Sequence, residues 1–128
     1  MTEGYDSSWD ESGNEEAWER KYREWKNRDW NAWLKDTLSF PFEARREEDE
    51  DGAYFTDVVV VKTQPFGLGH VFKVIGIEYD DAWTGIIMKA QEGRNTGYVP
   101  LCDVEVTTKS DKNYWPVREY VVWFANRS

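Results

Sequence analysis

The sequence predicts an α+β fold in which one or two N-terminal helices pack on a small, bent antiparallel sheet and a short helix ends the chain. Three observations predict it. Large apolar residues recur at helical spacing between Trp18 and Leu38, short runs rich in β-branched residues follow between about residues 58 and 106, and the stretch after Pro116 returns to a helical pattern. At 128 residues the chain has the length of one domain. Residues 1–13 are small, polar and acidic and read as a flexible leader, which leaves 14–128 as the domain.

The elements follow in order. Ser12-Gly-Asn-Glu15 has the form of a capping box, after which Trp18, Tyr22 and Trp25 share a helical face. A helix over Glu15 to Leu38 is expected. The step from Trp25 to Trp30 breaks the period, so the helix is kinked or split near Asn27. Phe40-Pro41 ends it, because proline and the residue before it are poor continuers of the helical ladder.

Strands are expected at Val58–Val61, Val71–Ile77, Trp83–Ala90, Tyr98–Leu101 and around Val104 and Val106, with TQPFGLG as a turn before the second. Short strands at close spacing suit a strongly bent sheet or a small SH3-like barrel. Val117, Tyr120, Val121 and Phe124 share a face if Pro116 opens a helix. A strand there is the alternative.

Charge narrows the function. The formal charge is -9 and the sequence pI about 4.6. Residues 1–52 hold sixteen acids against eight bases, a net of -8. Direct binding to nucleic acid is disfavoured, since phosphate contacts need a positive footprint. The single cysteine, Cys102, rules out an intramolecular disulfide. The start is neither basic nor apolar and no run is long enough to span a bilayer, so the expectation is a cytoplasmic protein that does not engage membranes, taken as a monomer. No nucleophile, base and orienting group assemble from the spacing, so no enzyme is expected. His70 and Cys102 read as packing residues.

Carboxylates are the one functional resource in excess. Calcium takes six to eight oxygen ligands, so several acids must converge with carbonyls and water. The run EEDEDG, Glu47 to Gly52, places Glu47, Asp49 and Asp51 at the first, third and fifth positions of an EF-hand loop and Gly52 at the sixth. The twelfth position falls on Val58, where a bidentate glutamate is required, so the EF-hand reading fails and a solvated loop is expected.

Other acids are better placed. A turn before Gly85 would gather Glu78, Asp80 and Asp81, and Asp103 and Glu105, two apart, would share one face of a strand. Glu43 projects from a stretch framed by Phe40 and Phe42. It is suited to an ion or to a salt bridge with Arg94 or Arg118.

Four ordered strings carry a family resemblance: Trp33-Leu34 leading to FPFEA (Phe40 to Ala44); VIGIEYDD (Val74 to Asp81) followed by Gly-Ile-Ile (Gly85 to Ile87); PLCDVEV (Pro100 to Val106); and NYWPVREYVVWFANR (Asn113 to Arg127). Together they resemble the CcbP-type calcium-binding proteins, first known from cyanobacteria. The resemblance implies a small acidic protein that binds Ca2+ without an EF-hand, on a compact scaffold with a barrel-like sheet, as a buffer or sensor without turnover. Its acidic positions within the matching strings are Glu43, Glu78, Asp80, Asp81, Asp103 and Glu105. A second reading, from the charge of residues 1–52, is an acidic interaction module that binds a basic protein partner or mimics nucleic acid to inhibit one.

Overall fold

Leucine, tryptophan and tyrosine at helical spacing bury one face of each N-terminal helix, and the break between the helices has a local cause. The computed structural model describes residues 5–47 and 65–127. Helix α1 covers Glu15–Lys26 and α2 covers Trp30–Thr37. Asp29 caps α2, its carboxylate accepting the Ala32 N–H at 3.2 Å. The helix splits at Asn27, as expected, since Asn27 is the C-cap of α1, and the residue that caps α2 is Asp29. The residue capping α1 is Asn14, with no side-chain capping bond, so the expected capping box is not formed.

Helix α3, Tyr114–Asn126, realises the expected C-terminal helix and begins two residues before Pro116. Five strands form one antiparallel sheet: β1 Phe42–Arg46, β2 Val71–Asp81, β3 Gly85–Glu92, β4 Asn95–Pro100 and β5 Val104–Val106. Their order is β4-β3-β2-β1-β5, and a 3-10 turn, Leu101–Asp103, carries the chain between the two edge strands. Two bulges interrupt β2 where it pairs with β3, and a bulge sharpens local twist and bend. Among the described residues the bent sheet stays open and does not close into the expected barrel.

One strand differs from expectation. β1 is built from FEARR, which alternates apolar and charged with only two apolar positions, Phe42 and Ala44, and its pairing on both sides supplies what its own pattern lacks. The expected Val58–Val61 strand lies outside the described residues.

The core lies between the sheet and the helices. Trp25 and Leu34 from the N-terminal helices, Val74, Met88 and Ala90 from the sheet, and Val99 and Leu101 are fully buried. Fully burying a large aliphatic or aromatic side chain contributes roughly 1.5–3 kcal/mol. Aromatic rings bind the helical layer: Trp30 stacks on Trp123 at 5.1 Å and Trp9 meets Trp25 edge-on at 5.1 Å. Trp9 belongs to the stretch read from sequence as a leader. It is buried within a short 3-10 turn, Ser8–Asp10, and Tyr5 stacks on Trp115 at 5.0 Å. Rings of this size bury enough apolar area to hold an otherwise polar segment against the domain.

α3 is also tied to the β2–β3 hairpin. The buried Tyr120 hydroxyl accepts the Ile86 N–H at 3.0 Å. Burial is the main cause that pushes this phenol from its ordinary 10.0 up to about 12, opposed by the Ile86 bond and assisted by Cys102 and Asp80. The unfolded chain then loses the proton near its ordinary value while the folded chain keeps it. The resulting stability is present below pH 10 and lost as pH rises towards 12, by about 3 kcal/mol in all. Tyr5, raised by burial and then by Glu119, adds to the same alkaline slope. Urea unfolding at fixed pH from 9 to 12 should show this decline, and Tyr120→Phe should flatten part of it. An unchanged slope in that variant would refute the assignment.

Candidate functional site

The six acids expected to serve metal fall at three places. Glu78 sits in the bulge between the pairs Ile77–Met88 and Tyr79–Ile87, without a cross-strand partner of its own. Asp80 pairs with Ile86, and both acids are exposed at the end of β2. Asp81 closes the hairpin, its Oδ1 accepting the N–H groups of Trp83 at 2.8 Å and Thr84 at 3.0 Å. Those two backbone bonds, Thr84 first, hold its carboxyl below the ordinary range, so it stays ionised into acid.

The hairpin is fixed on its other side by Gly85, whose φ of +75° lies in the left-handed region. The Cys102 thiol lies 3.9 Å from the Thr84 carbonyl, so the turn after β4 adjoins the hairpin tip.

Asp103 and Glu105 form the second place. Asp103 ends the 3-10 turn and β5 begins only at Val104, so the two acids are not on a single strand as expected. They nevertheless line one groove of about 870 Å³ between β5 and α3, and Glu47 joins them there. Asp103 is paired with Arg46 at 3.0 Å, and Arg46 also donates to the Phe66 carbonyl at 3.2 Å. Glu105 stands opposite Arg45 in the β1–β5 register. Partial burial, and after it the charge of Glu105, push the Glu47 carboxyl up. Two carboxylates that repel in a partly dehydrated groove favour the arrival of a cation.

Glu43 stands apart. Its Oε1 accepts the Thr107 hydroxyl at 2.7 Å, and it makes neither of the two expected salt bridges. Arg118 instead holds Asp10 through two bonds, at 3.1 and 3.0 Å. His70 meets Glu92 at 2.9 Å.

Among the described residues, no three His, Cys, Asp or Glu side chains gather into a group able to hold a metal ion. The donor chemistry nonetheless suits calcium: carboxylates and carbonyls at half-exposed positions with room for water, the hard-oxygen set this ion prefers. Glu78, Asp80 and Asp81 at the hairpin, and Asp103, Glu105 and Glu47 in the groove, are the residues that could hold it.

Sequence reasoning missed two acids. Glu47 was grouped with the solvated run EEDEDG, and Glu48 to Gly52 lie outside the described residues. Glu119 carried no signal beyond being a lone acid among the apolar residues of α3. It is 3% exposed, and its carboxylate accepts from the Tyr5 hydroxyl at 2.5 Å, Trp25 Nε1 at 2.8 Å and Arg28 at 3.0 Å, with Lys21 at 3.4 Å. It braces structure and does not face either groove or hairpin tip.

No helix among the described residues is long and apolar enough to cross a membrane. No curated protein and no solved structure gives a significant match to the chain. A family model described as calcium binding, of the CcbP type, matches residues 19–124 and so takes in most of α1, all of α2, the five described strands, most of α3 and all six candidate acids. The chain therefore belongs to the CcbP calcium-binding family.

Proposed function

We propose that this protein binds Ca2+ as a buffer or sensor, without turnover, through carboxylates of the β2–β3 hairpin and of the 3-10 turn and β5. Membership of a calcium-binding family over residues 19–124 carries the reading. Glu78, Asp80 and Asp81 from the hairpin, and Asp103 and Glu105 from the groove, are the proposed ligands, with Glu43 a neighbouring acid. The acids are spread over these elements, so binding draws side chains together and completes the shell with water and carbonyl oxygens. Arg46 must release Asp103 for that carboxylate to reach the ion.

Calorimetric titration tests the proposal. Calcium should give saturable heat and magnesium little, because magnesium demands a stricter octahedral shell. Asp80→Ala and Asp103→Ala should each weaken calcium binding at least about tenfold, which corresponds to about 1.4 kcal/mol. Unchanged titrations in both variants would refute the ligands. Absence of calcium heat in the parent chain would refute the function.

A further inference from the structure

Among the described residues β5 is an edge strand, and its pairing parity fixes which way its backbone points. Glu47 N–H donates to the Asp103 carbonyl at 2.7 Å and Thr107 N–H to the Glu43 carbonyl at 3.2 Å, either side of the Arg45–Glu105 pair. Residues 103, 105 and 107 therefore turn their backbone groups to β1. In an antiparallel ladder the intervening residues turn theirs away. The Val104 N–H is taken by the Leu101 carbonyl, which leaves the Val104 carbonyl and the Val106 N–H and carbonyl on the open edge. No partner for them occurs among the described residues.

That edge borders the 870 Å³ groove. Its other wall, from α3, offers the half-buried Val121 and Phe124 as apolar surface beside Arg118 and Arg127. The charges divide unevenly. Asp103 is paired with Arg46, Arg118 with Asp10, and the Arg127 guanidinium lies 3.5 Å from the Phe124 ring centroid while donating to the Phe124 carbonyl. Glu47 and Glu105 have no ion-pair partner within 4.0 Å among the described residues. The charge left to attract a ligand is negative and lies on the face of β5 opposite Val104 and Val106.

We propose that this groove receives an extended basic segment of a partner protein, which adds to β5 as a further strand. Successive side chains of a strand point to opposite faces. Alternate apolar residues of the segment then rest on Val121 and Phe124, and the lysines or arginines between them meet Glu47 and Glu105. Backbone bonds to Val104 and Val106 set the register, as in other strand-addition complexes. A second copy of this chain is the wrong occupant, because each copy carries a net charge of -9 and like charges oppose docking. The segment needs no calcium, and because it uses Glu105, also a proposed calcium ligand, the ion would compete with it in this groove.

The test uses the full chain in excess chelator with two fluorescent eight-residue peptides, alternating Val-Lys and alternating Val-Glu. Fluorescence anisotropy should show the Val-Lys peptide binding at least tenfold more tightly, and the double variant Glu47→Lys, Glu105→Lys should reverse that preference. Saturation with Val-Lys should slow exchange of the Val106 amide at least tenfold. Equal affinity for both peptides, or binding that leaves Val106 exchange unchanged, overturns the proposal. So does concentration-dependent protection of Val106 without peptide, which would identify a second copy as the occupant. Because chelator removes calcium throughout, failure here leaves the calcium titration to be judged separately.

Discussion

Replacing the buried Glu119 by alanine is expected to lower the melting temperature by about 10 °C or more. The carboxylate is 3% exposed and is the common acceptor for groups from three separate elements: Tyr5 ahead of the first helix, Trp25 in α1, and Arg28 between α1 and α2. Truncation leaves the Trp25 N–H and the Arg28 guanidinium facing one another without their shared acceptor. Removing one member of a buried ion pair costs about 3–5 kcal/mol, because the remaining charge stays dehydrated. Glu119→Gln keeps an acceptor for Trp25 and Tyr5 and loses only the charge, so about half that loss is expected, within the range of a charged hydrogen bond. Thermal and urea unfolding of both variants provide the check. Alanine and glutamine variants of equal, near-parental stability would show that the carboxylate does not brace the helical layer.

The same residue shows why parts of the molecule were legible in sequence and parts were not. Elements with a sustained period declared themselves: the Trp18, Tyr22 and Trp25 face of α1, the β-branched run of β2, and the Val117 to Phe124 face of α3. β1 did not, because two apolar positions in five residues are too few to set a period, and its strand state comes from neighbours β2 and β5 that are distant in sequence. Glu119 was illegible for a related reason. Its partners lie 91, 94 and 114 residues away, and nothing local to α3 foretells them.

The candidate acids were legible as types and as strings, not as an arrangement. Asp103 and Glu105 two residues apart suggested one strand face; Asp103 ends the 3-10 turn and β5 begins at Val104, yet the backbone keeps the alternation, with the Glu47 N–H on the Asp103 carbonyl beside the Arg45–Glu105 pair. They meet Glu47 across the β1–β5 pairing, a relation only the folded register creates. Glu78, Asp80 and Asp81 were expected in a turn that would gather them, but all three lie on β2, with Glu78 in a bulge and Asp80 paired with Ile86, and they do not form one cluster.

Gly85→Ala is expected to cost about 2–4 kcal/mol and to weaken calcium binding along with stability. Two separate terms produce the loss. The φ of +75° is strained for any residue with a Cβ, at about 1 kcal/mol. A Cβ there would also collide with the Tyr120 hydroxyl and sit 2.5 Å from the Phe124 ring, and overpacking of this kind costs about 1–3 kcal/mol. Gly93→Ala separates the terms, since its φ is +59° but nothing lies within 4 Å of the added carbon. It should show the backbone term alone. Relief of the collision must move either α3 or the hairpin, and the hairpin is the lighter body. Asp80 and Asp81 would move with it, so calcium affinity should fall in Gly85→Ala and hold in Gly93→Ala. Equal unfolding free energies in the two glycine variants would show that the hairpin is not seated against Tyr120 and Phe124. A destabilised Gly85→Ala chain with parental calcium affinity would place the ion elsewhere, leaving the Asp103 and Glu105 groove as its seat.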